Sequence, residues 1–235
     1  MLRNFWRKTL GKEAVQKPEQ SGWEFNYAMD FVRQTLQYEQ SKKDQITILE
    51  YMSGIIKEDL KSDLLTTILY NKENFDKKIS HPFPIYYEDE AGNKIWAKPD
   101  EEKMKKVDLT NDCVLVLAWH RDRMRNIIKI IVKDSFEYIK GNHLAYYYTG
   151  VDLCYAYNGT HSISAGIGHK KGFIEAKTVD IIPMFDHVYT DGDCWYNKHN
   201  GNKLRDLYDF RVGVIYEISK IKYRLENEED TADLG

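Results

Sequence analysis

The chain of 235 residues is 42% hydrophobic and 30% charged with a formal net charge of -3, which excludes a disordered composition and gives no global electrostatic case for nucleic acid. Nucleic acid stays open as a partner only through a local basic patch, and with no apolar run reaching the ~18 residues a membrane span needs, no membrane association is expected. The three cysteines, Cys113, Cys154 and Cys194, lie far apart; they offer no metal spacing and no disulfide framework, so a reducing, cytoplasmic setting is expected.

Residues 1–21 read as a short amphipathic lead and a linker, with Gly11, Pro18 and Ser21. A helix begins near Trp23, with Phe25, Met29, Val32 and Leu36 on one face. A second starts at Ser41 or Asp44 and carries apolar residues to about Tyr70, with a break expected at Gly54 or in residues 57–61. Residues 1–75 are thus expected to form a helical subdomain, and its apolar faces make self-association into a homo-oligomer an expectation. His81-Pro82-Phe83-Pro84 cannot continue a helix. Residues 85–97 read as an exposed hairpin, and the mixed charges of 98–106 as a solvated connector, so 76–106 is expected to be hairpin and linker.

From Val107 the pattern becomes that of a sheet with helices. Residues 113–118 form a continuous apolar run that suits a strand buried on both faces. The run ends in Trp119-His120-Arg121-Asp122-Arg123, followed by a helix whose inner side would hold Met124, Ile127, Ile128, Ile131 and Val132. Strands are expected over 142–148, which would carry His143, and over 151–157 and 173–182. Residues 184–193 read as a loop or edge element, 194–196 as a short strand, and 203–226 as a helix. The expected fold is α+β: a mixed sheet with helices over 107–226, preceded by the helical subdomain and followed by a flexible acidic tail, 227–235.

The chemistry concentrates in two places. Residues 154–167 read as a strand, a sharp Asn158-Gly159 turn and a helix that Thr160 or Ser162 would cap. A glycine turn feeding a helix N-terminus can hold an anion, because free N–H groups point at the ligand and the helix dipole favours negative charge. The same residues also suit a tight turn with His161 bonded to backbone. The other place is the strand end at residues 120–123, where two arginines, a histidine and an aspartate gather. There the alternatives are a ligand cleft and a structural salt-bridge knot.

Gly159-Thr160-His161-Ser162-Ile163-Ser164-Ala165 resembles the "G-x-H-R-x-x-A" motif that the ParB/sulfiredoxin-like superfamily places between a strand and a helix. Gly159, His161 and Ala165 match, and Ser162 stands where that family usually has arginine. With Trp119-His120-Arg121-Asp122-Arg123 and Ala165-Gly166-Ile167, the chain is also similar to an uncharacterised family of bacterial and mobile-element proteins. The resemblance spans 107–185 and implies a ParB/sulfiredoxin-like fold with a pocket for nucleotide phosphates. A serine offers one neutral hydroxyl where an arginine would make paired charged bonds. The missing charge would then come from Arg121 and Arg123, with Lys170 and Lys171 next in order. No cysteine lies in the motif, which argues against sulfinic acid repair.

The resemblance implies a nucleotide- or phosphate-binding protein that senses or hydrolyses its ligand, with a nucleoside triphosphate and Mg²⁺ as the implied cofactor. Its ligand-binding residues would be Arg121, Arg123, His143, Asn158, Gly159, Thr160 and Ser162, with His161, His120 and Asp122 as catalytic groups. The alternatives are a metal-dependent nuclease or phosphodiesterase using the same histidines, and a non-enzymatic interaction protein of phage defence or counter-defence. No residue is assigned as a metal ligand, and whether the protein is an enzyme stays open at this point.

Overall fold

Two helices lead the described chain, which in this computed structural model covers residues 20–71 and 80–227. The expected lead up to residue 19 and the tail from 228 lie outside the described residues. α1 (Gln20–Tyr38) buries Phe25, Met29 and Val32, the expected face, while Trp23, Tyr27 and Phe31 stand exposed at four-residue steps. α2 (Lys42–Tyr70) is capped by Ser41, whose Oγ accepts from the Asp44 N–H at 3.3 Å. α2 runs unbroken through Gly54 and residues 57–61, against expectation. A helical glycine costs only about 1 kcal/mol relative to alanine, and the burial of Leu49, Leu60, Leu64 and Ile68 outweighs it. Lys61 is accommodated beside Glu58 at 2.5 Å.

After the prolines come β1 (Tyr86–Glu88) and β2 (Lys94–Trp96), the expected antiparallel hairpin. The segment read as a charged connector is instead a strand, β3 (Pro99–Asp108), exposed over most of its length. It is an edge strand hydrogen-bonded on one side only, so its charges sit in solvent and only Val107 is buried. The expected boundary between residues 106 and 107 falls inside it.

The sheet continues with β4 (Val114–Leu115), β5 (Ala145–Thr149), β6 (Leu153–Ala156) and β7 (Phe173–Asp180), in the order β3-β7-β5-β6-β4. The pairs β7–β5 and β6–β4 are parallel; β3–β7 and β5–β6 are antiparallel. The fold is therefore mixed α+β. β4 is shorter than its apolar run, yet residues 113–118 are all buried. Side chains alternate across the sheet. One face (Val114, Ala145, Cys154, Ala176) packs under α4 (Thr160–Gly168) through Ile163 and Ile167. The other (Leu115, Tyr148, Leu153, Val179) packs on Phe83, α2, a three-stranded antiparallel sheet of β8 (Val188–Thr190), β9 (Cys194–Asn197) and β10 (Lys203–Asp206), and α5 (Phe210–Asn227).

Two further expectations change. α3 (Arg121–Asp134) buries only Ile131; Ile128 and Val132 are exposed, because α3 packs chiefly along α4 rather than on the sheet. The stretch read as one helix from Lys203 splits into β10 and α5, since Lys203–Asp206 pairs with β9. α5 closes a separate core with the N-terminal helices, joining Phe25, Val32, Leu49, Val214 and Ile218.

Candidate functional site

β4 and β6 lie side by side and parallel, with Val114 opposite Cys154 and Leu115 opposite Tyr155. Each leads at its carboxyl end into a helix, β4 to α3 and β6 to α4. The carboxyl ends of parallel strands are where open sheets of this kind bind ligands. The two helix starts are tied together: the His120 backbone N–H donates to His161 Nε2 at 3.0 Å.

Gly159, rather than Thr160 or Ser162, is the N-cap of α4, and no side chain caps that helix. Its φ of +70° favours glycine, and a Cβ there would stand 2.5 Å from His143 Cδ2 and 2.8 Å from the Asn142 carbonyl oxygen. The glycine is thus demanded by what packs behind the turn. His143 is not on a strand but in the loop before β5, and it is buried. Its Nδ1 accepts from the Ile139 N–H at 3.0 Å, which leaves the proton on Nε2 to be donated to Ser162 Oγ at 2.8 Å. Ser162 in turn donates to the Gly159 carbonyl at 3.0 Å. Phe136 stacks on the ring at 5.0 Å, and burial holds the imidazole below its ordinary pKa. His143 and Ser162 therefore form a clamp that fixes the turn, and the Ser162 hydroxyl faces inward.

His161 and His120 lie on the outer side. Because His161 Nε2 accepts, its neutral ring carries the proton on Nδ1. Burial lowers its pKa first, and the nearby Arg123 and His120 lower it further. His120 caps α3, its Nδ1 accepting from the Arg123 N–H at 3.3 Å, so its Nε2 carries the proton. In all three rings the single lone pair of the neutral imidazole is taken by a backbone N–H. None is placed to act as a base, while His120 Nε2–H and His161 Nδ1–H have no hydrogen-bond partner among the described residues.

The remaining expected residues scatter. Arg121 turns away and donates from Nε to the Ile68 carbonyl at 3.2 Å and from Nη2 to the carbonyls of Leu69, at 3.3 Å, and Asn71; it holds the end of α2. Asp122 pairs with Arg125 at 2.5 Å. Arg123 is exposed, its guanidinium 5.5 Å from the centre of the Trp119 ring. Asn158 is exposed and Thr160 half-buried at the first turn of α4. Lys170 and Lys171 follow the far end of α4, about 13 Å along the helix from its N-terminus.

Trp119 is the member of the corner that residue type alone did not single out. It lies edge-on to His161 at 5.5 Å and to His120 at 5.6 Å, yet remains exposed. A large aromatic at a strand end was its one signal in the sequence. The corner thus presents an aromatic ring, an arginine, two imidazole N–H groups and the first N–H groups of two helices. That set suits an anion attached to a flat group. Among the described residues, no group of three or more His, Cys, Asp or Glu is placed to hold a metal ion. Cys113 and Cys154 are buried free thiols, Cys113 pushed up to about 12 by burial. No helix among the described residues is long and apolar enough to cross a membrane.

A family model described as a family of unknown function (DUF6710) matches residues 10–229. No curated protein and no solved structure matches the chain.

Proposed function

The chain belongs to the DUF6710 family of unknown function, so its chemistry has to be read from its own residues, and we propose that it binds a phosphate-bearing ligand of the nucleotide class where α3 and α4 begin. The observation that carries this reading is the bond from the His120 N–H to His161 Nε2, which holds two helix N-termini together at the ends of adjacent parallel strands. Arg123 supplies the cation that Ser162 does not, and Trp119 supplies a ring on which a base can stack. The Gly159, His161 and Ala165 match to the ParB/sulfiredoxin-like motif supports the same reading, as does the strand-turn-helix that carries it. Binding or sensing is favoured over turnover, because the lone pairs of His120, His143 and His161 are already engaged. A cytoplasmic role in a bacterial or phage system is part of the proposal, and rests on that motif likeness and on the thiols.

The test is thermal unfolding with CTP, ATP, GTP and inorganic phosphate, each with and without Mg²⁺. A nucleotide at a hundred times its Kd stabilises the fold by about 2.7 kcal/mol. Arg123→Ala removes most of that gain without lowering the midpoint of the free protein. If no nucleotide shifts the midpoint, or Arg123→Ala responds as the wild type does, the phosphate reading is wrong and the interaction-protein alternative replaces it.

A further inference from the structure

On the other side of the sheet from α4, α2, α5 and the β5–β6 turn line a half-open cavity of about 400 Å³. Its walls carry Ser53 and Lys57 from α2, Asp152 from the turn, and Ser219 and Lys222 from α5. Ser53 and Ser219 are largely buried residues whose hydroxyls make no hydrogen bond among the described residues and are not closed off from solvent. Lys57 is half-buried and forms no ion pair among them either.

The other charges on the wall are accounted for. Lys222 pairs with Glu50 at 2.6 Å and with Glu226 at 3.6 Å. Asp152 accepts from the Tyr147 hydroxyl at 2.8 Å and keeps its second oxygen. Lys57 is acted on by the Asp152 charge but makes no direct ion pair among the described residues, so its ammonium can take one carboxylate. The three neighbouring carboxylates repel a polyanion, so a nucleotide triphosphate does not belong here. At roughly 30 Å³ per water-sized group, the cavity takes a molecule of about a dozen heavy atoms.

We propose that this cavity binds a small, singly charged organic carboxylate that also bears hydroxyl or amino groups, its carboxylate on Lys57 and its donors on Asp152 and the two serines. Burial holds the Lys57 ammonium below its ordinary pKa, with Lys222 adding to the effect against Cys113 and Asp152. The site is independent of the α3–α4 corner.

The experiment is competitive acylation of the whole chain with an amine-reactive reagent, read at Lys57 by peptide mass spectrometry, with D-gluconate, D-glycerate and L-threonine as probes. At least one of them protects Lys57 roughly tenfold at ten times its Kd, while sorbitol and inorganic phosphate do not. The same probe raises the unfolding midpoint of the wild type and of Arg123→Ala, but not of Lys57→Met or Ser219→Ala. Lack of protection by all three carboxylates overturns the proposal, as does equal protection by phosphate. Should Lys57→Met not fold, Ser219→Ala and the labelling of the wild type decide.

Discussion

α3 and α4 both start at the carboxyl end of a parallel strand, yet they are held in different ways. α4 is short and embedded: Ile163 to Ile167 are all buried, and a Cβ on Gly166 would stand 2.7 Å from Leu109 Cδ1. α3 is longer and lies on the outside, with Ile131 as its one buried residue. Its start is held by polar contacts instead, through His120 to His161 and through Arg121 to the end of α2. One helix start is thus set by packing and the other by hydrogen bonds. The ligand proposed for this corner would meet one rigid wall and one that can adjust at the cost of a few hydrogen bonds.

The largest expected effect tests the rigid wall. Gly159→Val combines a positive φ with a clash against His143 and the Asn142 carbonyl, and is expected to destabilise by more than about 3 kcal/mol. Its readout is the denaturant midpoint, together with loss of the Ser162–His143 bond seen as a shift of the His143 ring protons. A variant as stable as the wild type would mean that the turn is not built as described.

Next in size is a matched pair of truncations. Ile163 is 0% exposed and Ile130 51% exposed. Ile163→Ala is expected to cost about 2–5 kcal/mol, and Ile130→Ala within about 0.5 kcal/mol. Equal costs measured by urea unfolding would remove the distinction between an embedded α4 and an outlying α3.

The same distinction decides what could be read from the sequence. α1, α4 and the buried strands were legible because burial leaves a periodic or continuous apolar trace: Phe25, Met29 and Val32 in one case, residues 113–118 in another. β3 left none, because an edge strand with charged side chains in solvent looks like a linker, and its pairing with β7 is a long-range fact. Leu204, Leu207 and Phe210 happen to follow helical spacing, so β10 was hidden inside an apparent helix. At the site, the types and positions of His120, His143, His161 and Gly159 were legible, but not the direction each side chain takes. Periodicity does not encode that Ser162 turns inward to His143, or that Arg121 leaves the corner for α2. The cavity around Lys57 left no trace at all, since its walls come from three distant segments.

A smaller effect tests the polar tether. Arg121 satisfies carbonyls that the end of α2 would otherwise leave open, and its charge suits the negative end of that helix. Arg121→Ala is expected to cost about 1–2 kcal/mol. Hydrogen exchange should rise in the last turn of α2 and the first turn of α3 together. Arg121→Lys recovers only part of the loss, since a compact ammonium does not reach the three carbonyls that the planar guanidinium fork spans. An exchange change confined to α2 would show that Arg121 does not anchor α3.

The smallest effect separates the two histidines by their electrostatics. Both His143 and His161 are held below their ordinary pKa of 6.5 in the folded chain. The unfolded chain therefore binds more protons as the pH falls through 6.5, so the stability these rings contribute is fully present above that pH and is lost below it. The causes differ: burial alone acts on His143, whereas Arg123 and His120 add to burial at His161. Arg123 is exposed, and at about 1 M salt its field is screened within roughly 3 Å. Raising the salt should thus move the His161 titration midpoint upward in ring-proton NMR and leave that of His143 in place. Arg123→Ala should produce the same upward move at low salt. Parallel movement of the two midpoints would mean that Arg123 does not face His161, and the proposed phosphate binding would lose the cation it rests on.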